Sequence, residues 1–181
     1  EWAARMGLGR PRFGARAPTP PDLSHPAIAV HLDACIRCTR CVRACRDVQV
    51  NDVIGLAWRG DASKIVFDFD DPMGASTCVG CGECVQACPT GALASVVRDA
   101  AAMPARDTSL PVPDRIVASV CPFCGVGCQL NYHVKDNRIL YVEGRDGPAN
   151  RGRLCVKGRY GFDYVHHPQR LTRPLIRRAD A

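Results

Sequence analysis

The stretch Cys78-Val-Gly-Cys81-Gly-Glu-Cys84-Val-Gln-Ala-Cys88-Pro89 leaves this chain little freedom. Its C-x2-C-x2-C-x3-C-P spacing brings three thiolates from one tight loop to a cubane iron–sulfur cluster and commits the fourth cysteine to a neighbouring cluster. A second quartet must therefore exist, and Cys35-Ile-Arg-Cys38-Thr-Arg-Cys41-Val-Arg-Ala-Cys45 repeats the spacing upstream. By cross-ligation, Cys35, Cys38, Cys41 and Cys88 are expected to hold one 4Fe-4S cluster, and Cys78, Cys81, Cys84 and Cys45 the other. Two zinc sites are the competing reading. Zinc prefers paired C-x2-C knuckles separated by a longer loop, not four cysteines in eleven residues. Gly80 and Gly82 allow backbone N–H groups to point at the sulfides, and Pro89 turns the chain without needing a donor.

Metal sites also answer a shortage. Of the 181 residues 46% are hydrophobic but only 6% aromatic, a thin supply of large side chains for an ordinary core. Twelve cysteines offset it, as disulfides or as ligands. Disulfides would call for a secretory signal, yet residues 1–30 contain no apolar run long enough for one, and Arg10, Arg12 and Arg16 sit there among Gly, Pro and Ala. No later stretch reaches the ~18 apolar residues of a membrane span. The reading is a cytoplasmic chain whose thiolates bind metal.

Along the chain, residues 1–30 read as a basic, Pro- and Gly-rich lead-in, extended rather than packed, with a short helix possible at Glu1–Met6. Residues 31–98 read as a pseudo-repeat of the two-cluster ferredoxin type. Strands are expected at Ile28–Leu32, Asn51–Ile54 and Lys64–Phe69, a helix at Cys41–Val50, and a strand or short helix at Ala92–Arg98. Residues 99–113, with three prolines, read as a linker. From 114 the texture turns to β: a strand at Arg115–Val120, then a hairpin of Gln129–Val134 and Arg138–Glu143 about Lys135-Asp-Asn137. A short helix is expected at Gly158–Val165. The chain opens on Glu1 and stops after Leu171-Thr-Arg-Pro174-Leu-Ile-Arg-Arg178, and is read as a piece of a longer polypeptide.

A third cysteine set follows, Cys121-Pro-Phe-Cys124-Gly-Val-Gly-Cys128, with Cys155 27 residues further on. Spacing alone leaves both a cubane and zinc open. Val120-Cys-Pro-Phe-Cys-Gly-Val-Gly-Cys-Gln-Leu130 and Arg153-Leu-Cys-Val-Lys-Gly158 resemble the N-terminal domain of the molybdenum/tungsten bis-pterin oxidoreductases, closest to formate dehydrogenases. The segments Cys45–Gly55 and Val66–Cys78 are similar to the ferredoxin region in the large, molybdenum-containing alpha subunit of cytoplasmic NAD-dependent formate dehydrogenases. The likeness runs from about His31 to Arg178.

The resemblance implies an α+β fold: a two-cluster (2x 4Fe-4S) ferredoxin-like domain at 31–98, then at 114–181 the small β-rich 4Fe-4S N-terminal domain of a molybdopterin oxidoreductase. It implies a third 4Fe-4S cluster on Cys121, Cys124, Cys128 and Cys155, and an electron relay through Lys157 to a pterin. It implies a molybdenum-bis(molybdopterin guanine dinucleotide) cofactor for the complete chain, and partner subunits carrying flavin and iron–sulfur groups that reduce NAD. Residues 104–181 hold 13 Lys and Arg against 7 Asp and Glu and so carry the whole net charge of +6. Arg151, Arg153 and Arg159 are candidates for the pterin dinucleotide phosphates, each weighed against a solvated surface charge. Nucleic acid is the weaker partner, because no helix presents an organised basic face with interleaved aromatics.

His31, His133, His166 and His167 are read as structural. In the family the metal-bound cysteine or selenocysteine lies beyond Ala181, so formate oxidation is expected of a longer chain and not of these residues alone. The N-terminal 2Fe-2S and Cys3His clusters of the longest relatives are expected before Glu1, in keeping with a piece of a longer polypeptide. Three other readings stand beside it: the large iron–sulfur subunit of NADH:quinone oxidoreductase, which generally lacks one complete ferredoxin quartet, or of a hydrogenase-like complex; a non-catalytic ferredoxin-type carrier; and a nitrate reductase-type oxidase, disfavoured by two fused ferredoxin sites.

Overall fold

The computed structural model describes residues 5–9, 14, 17–96 and 112–178. The helix expected at Glu1–Met6 and the linker at 99–113 fall largely outside them, as do Arg10, Arg12 and Arg16. Short elements follow one another: β1 (Ile28–Val30), α1 (Arg40–Arg43), β2 (Ile54–Ala57), β3 (Lys64–Phe67), α2 (Glu83–Ala87), β4 (Leu93–Ser95), β5 (Arg115–Val120), β6 (Gln129–Lys135), β7 (Arg138–Gly144) and α3 (Val156–Tyr160). No helix among the described residues is long and apolar enough to cross a membrane.

In the N-terminal unit β1 pairs antiparallel with β4 (Ile28 opposite Ser95, Val30 opposite Leu93), joining the two ends of the cysteine repeat. β2 and β3 form a hairpin between the quartets, from Ile54 opposite Phe67 to Ala57 opposite Lys64. The expected strand at Asn51–Ile54 starts only at Ile54, because Val50 and Asp52 adopt left-handed backbone, at φ 60° and 51°, that no strand can hold. The expected helix at Cys41–Val50 is α1, widened after Arg43 into a π-helical turn over Ala44–Val48, where Gln49 N–H donates to Ala44 O (3.0 Å).

Residues 17–27 depart from the expected extended lead-in. Asp22 and Val30 exchange two backbone hydrogen bonds of 2.9 Å. The Asp22 carboxylate accepts the N–H groups of Ser24 (2.9 Å) and Met73 (2.7 Å), and Ser24 Oγ accepts that of Gly74 (2.8 Å). The segment is thus laced to the core over about fifty residues of sequence separation, beyond the reach of local composition. Burying Met73 and Ile28 beneath it contributes about 1.5–3 kcal/mol each.

The C-terminal unit is the antiparallel sheet β5-β6-β7. The β6–β7 turn places Asp136 and Asn137 at φ 48° and 60°, the paired left-handed residues a two-residue hairpin with the right twist requires. The helix expected at Gly158–Val165 begins earlier, as α3, and tightens into a 3-10 turn over Gly161–His166. Its own core gathers Cys121, Leu130, Val142 and Leu154.

Candidate metal centres

The loops of the two quartets have one backbone. Arg37 and Thr39 take φ 58° in the first, and Gly80 and Gly82 take 65° and 76° at the same places in the second. That conformation turns the chain so that Arg37 N–H meets Cys35 Sγ at 3.4 Å and Gly80 N–H meets Cys78 Sγ at 3.4 Å. Glycine adopts it without strain; at Arg37 and Thr39 it costs about 1–2 kcal/mol per residue. Arg37 is held there by its guanidinium, which bonds Gly60 O (3.1 Å), Ser63 Oγ (3.1 Å) and Asp61 O (3.0 Å) at the tip of the β2–β3 hairpin.

Two short helices then run between two pockets. Cys35, Cys38 and Cys41 line the first together with Cys88, walled by Leu32, Ile65 and Leu93; it encloses about 370 Å³, part of it open to solvent. Cys78, Cys81 and Cys84 line the second together with Cys45, beside Ile54 and Gly82, around about 290 Å³. α1 with its π turn carries Cys41 to one pocket and Cys45 to the other. α2 carries Cys84 to the second, and Cys88 at its C-terminal end reaches the first.

Burial pushes the Cys41 thiol up to about 11, with the sulfurs of Cys35, Cys88 and Cys38 adding to the effect. It likewise raises Cys84, Cys78 and Cys81. Burial opposes ionisation of Cys88 too, but hydrogen bonds from the backbone of Leu93, Thr90 and Ala92 and from the Thr90 hydroxyl hold its thiol below the ordinary value. Four thiols around a mostly apolar hollow suit a soft cation, whose charge would reverse the cost of ionising them. Among the described residues no group of three or more His, Cys, Asp or Glu is drawn together as ligands of a single ion.

The third set closes differently. Cys121 N–H donates to Cys128 O (2.8 Å), cinching the loop after β5. Burial raises the Cys128 thiol, with the sulfurs of Cys121, Cys124 and Cys155 adding to the effect. Cys121 is buried while Cys124 and Cys155 are exposed. Asn150, which no motif singles out, anchors the loop that delivers Cys155. Its Oδ1 accepts Gln129 N–H (3.0 Å), and its Nδ2 donates to the carbonyls of Gln129 (2.9 Å), Arg145 (3.2 Å) and Arg153 (2.9 Å).

Of the remaining candidates, Lys157, Arg151 and Arg153 are exposed on the loop and helix around Cys155. Arg159 is a correction. It is 3% exposed, and its guanidinium donates to Glu83 Oε1 (2.9 Å), Gln86 Oε1 (2.9 Å) and Cys81 O (2.8 Å), buried out of a phosphate's reach. The histidines sit as structural residues: His166 Nε2 accepts Ile139 N–H (3.1 Å), His167 Nδ1 accepts Gln169 N–H (3.2 Å), and His133 lies 2.9 Å from Glu143 and stacks on Tyr141. His31 N–H bonds Ala92 O (2.7 Å) beside β1 and β4. His25 was missed by the sequence reading. Its Nδ1 accepts Ala27 N–H (3.1 Å) and Ile28 N–H (3.2 Å), and its ring lies against Gly80.

Comparison with known proteins matches these two units separately. Residues 34–92 match the 4Fe-4S dicluster domain, and residues 114–167 the molybdopterin oxidoreductase Fe4S4 domain. The chain therefore carries 4Fe-4S domains of both kinds. It is 33% identical to "Probable oxidoreductase YjgC" of Bacillus subtilis, over 88% of this chain and 19% of that protein. It is 33% identical to a "Putative formate dehydrogenase" of Staphylococcus haemolyticus (81% and 18%), and 32% identical to one of Staphylococcus aureus (80% and 18%). The chain thus spans about a fifth of the length of these relatives. A chain of an NAD+-reducing NiFe hydrogenase in its H2-reduced state aligns with a TM-score of 0.44 at 26% identity, over 57% of this chain and 44% of that one. The two domain matches and the relatives support the molybdopterin oxidoreductase family.

Proposed function

We propose that this chain is the iron–sulfur, electron-transfer portion of a molybdenum-dependent, NAD-reducing formate dehydrogenase of the cytoplasm. In that reaction formate becomes CO2, a proton and two electrons, and the electrons travel along this chain to a flavin-bearing partner subunit, where NAD+ and a proton take them up as NADH. The observation that carries the reading is the crossing of the quartets: each pocket draws three cysteines from one loop and the fourth from the other. The relatives described as formate dehydrogenases supply the substrate.

In this reading Cys35, Cys38, Cys41 and Cys88 hold one 4Fe-4S cluster, Cys78, Cys81, Cys84 and Cys45 a second, and Cys121, Cys124, Cys128 and Cys155 a third. When bound, these groups supply reversible one-electron carriage. The chain's own residues tune and insulate them. The N–H groups of Arg37 and Gly80 donate to Cys35 and Cys78 sulfur, withdrawing negative charge and favouring the reduced state. Ile54, Ile65 and Leu93 keep water from the pocket walls. Lys157 faces the pterin of the complete enzyme from beside Cys155, and Arg151 and Arg153 offer charge to its dinucleotide phosphates.

The test uses the full native complex, purified without oxygen. Formate alone should develop the iron–sulfur EPR signals. If formate leaves them silent while NADH develops them, the chain serves an NADH-fed assembly and the formate reading falls.

A further inference from the structure

α3 is five residues long, yet it touches two of the cysteine sites. On one side Gly158 packs against the third set: a Cβ there would lie 3.6 Å from Cys121 Sγ. On the other side Arg159, Tyr160 and Val156 lie on the loop of the second quartet. A Cβ on Gly82 would come within 2.6 Å of Tyr160 Oη, and one on Gly80 within 3.4 Å of Val156 Cγ2. Glycine at 82 thus serves contact as well as conformation. At the matching place in the first loop stands Thr39, which lines the first pocket.

Arg159 is the centre of this contact. Its Nε donates to the carbonyl of Cys81 (2.8 Å), and its backbone N–H donates to the carbonyl of Cys155 (3.1 Å). One residue therefore hydrogen-bonds a cysteine of the second set and a cysteine of the third. Nη2 and Nη1 fix it further to Glu83 and Gln86 on α2, Gln86 Nε2 reaches back to Gly152 O (3.2 Å), and Glu83 Oε1 accepts Leu154 N–H (3.4 Å). The side chains of Arg159 and Glu83 are 3% and 9% exposed. Burying two charges costs more than a pairing at the surface returns, and a hydrophobic pair of the same volume would hold the units together as well. What an apolar pair would not supply is fixed direction: the guanidinium's planar fork admits one geometry.

We propose that Arg159 is the positioning residue that sets the spacing and orientation of the second and third iron–sulfur sites for electron passage between them. The inference deepens the electron-transfer reading and rests on it. In the step concerned one electron leaves the third site, which is oxidised, and enters the second, which is reduced; no proton or bond changes hands. The Arg159 guanidinium acts through the backbone of Cys81, and its own backbone belongs to the helix that Cys155 caps.

Arg159→Met in the full-length chain of the native complex, with Arg159→Lys beside it, tests this. Iron is counted first. The complexes are then reduced with dithionite and the spin–spin interaction between the second and third sites is read by EPR, which needs no formate. Finally they are mixed with formate and freeze-quenched. The expected result for Arg159→Met is full iron, an altered interaction, and third-site signals that appear on time while second-site signals lag about tenfold or more, as misplacement by an ångström can cause. Should Arg159→Met lose iron, the same readings on Arg159→Lys decide, with altered interaction and lag supporting the proposal. An unaltered interaction and no lag in an iron-replete variant overturn it. A wild-type complex silent to formate sinks the dehydrogenase reading instead, and the dithionite spectra still judge Arg159.

Discussion

In the N-terminal unit Cys41, Cys45 and Cys84 belong to the hydrophobic core itself, with Cys35, Cys78 and Cys88 packed against it. In the C-terminal unit Cys121 is in the core, Cys128 is packed against it, and Cys124 and Cys155 are exposed. The N-terminal unit has thus merged its cysteine sites with its fold: Ile28, Val42, Ile54, Ile65 and Leu93 pack around thiols, and the thiols complete the packing. The third site is built at an edge, closed by a loop that Asn150 ties to β6 and by a helix that Arg159 ties to the neighbouring unit. Metal should be a folding cofactor in the first case and a lodger in the second.

Removing iron gives the largest effect. Anaerobic chelation, or Cys84→Ala, should abolish cooperative unfolding of the N-terminal unit while leaving β5-β6-β7 folded, seen as hydrogen exchange that rises through 17–96 and holds in 129–144. Uniform protection after chelation would erase the contrast between the units. Cys155→Ser should behave oppositely, removing up to about a third of the bound iron with the ferredoxin pair intact. An unchanged iron content would refute the third-site assignment. Glu83→Ala leaves the Arg159 charge buried and unpaired, and should destabilise the contact between the units by about 3–5 kcal/mol, measured by denaturant melts of the loaded chain. A change below about 1 kcal/mol would mean that the pair is solvated in solution.

Lys157→Ala should leave every cluster assembled and slow reduction by formate about tenfold, a barrier change near 1.4 kcal/mol. Wild-type turnover would make the lysine a surface residue. The smallest effect concerns His25. Burial holds its imidazole below the ordinary value of 6.5, against the pull of Asp22. The unfolded chain therefore binds the proton more readily, so the stability His25 contributes is present above pH 6.5 and is lost as pH falls below it. His25→Asn, which keeps an acceptor for Ala27 and Ile28 N–H, should flatten that acid slope in thermal melts. An unaltered slope would assign it to other groups.

The two cysteine loops show how far local sequence reaches. Both loops turn left-handed twice, and both bring three cysteines from seven residues to one pocket. Arg37, pinned by its guanidinium to the tip of the β2–β3 hairpin, and Thr39 adopt the conformation in which Gly80 and Gly82 rest without strain. The β6–β7 hairpin was legible for a similar reason, Asp136-Asn137 being residues that tolerate φ above zero. Elsewhere boundaries slipped: the strand at Ile54 and the helix at Val156 begin where backbone turns and caps dictate, and neither leaves a period in the residues.

What the sequence settled by itself was the inventory and its local geometry, quartets, loops and turns, because ligands and dihedrals act over a few residues. Tertiary structure alone decided the rest. Asp22 and Ser24 fasten the lead-in across some fifty residues, and Arg159 leaves the surface charge it resembled to become a buried link between two units. A single arginine reads the same whether solvated or buried. The partner that distinguishes the cases, Glu83, lies 76 residues away, at a separation that no spacing or composition encodes.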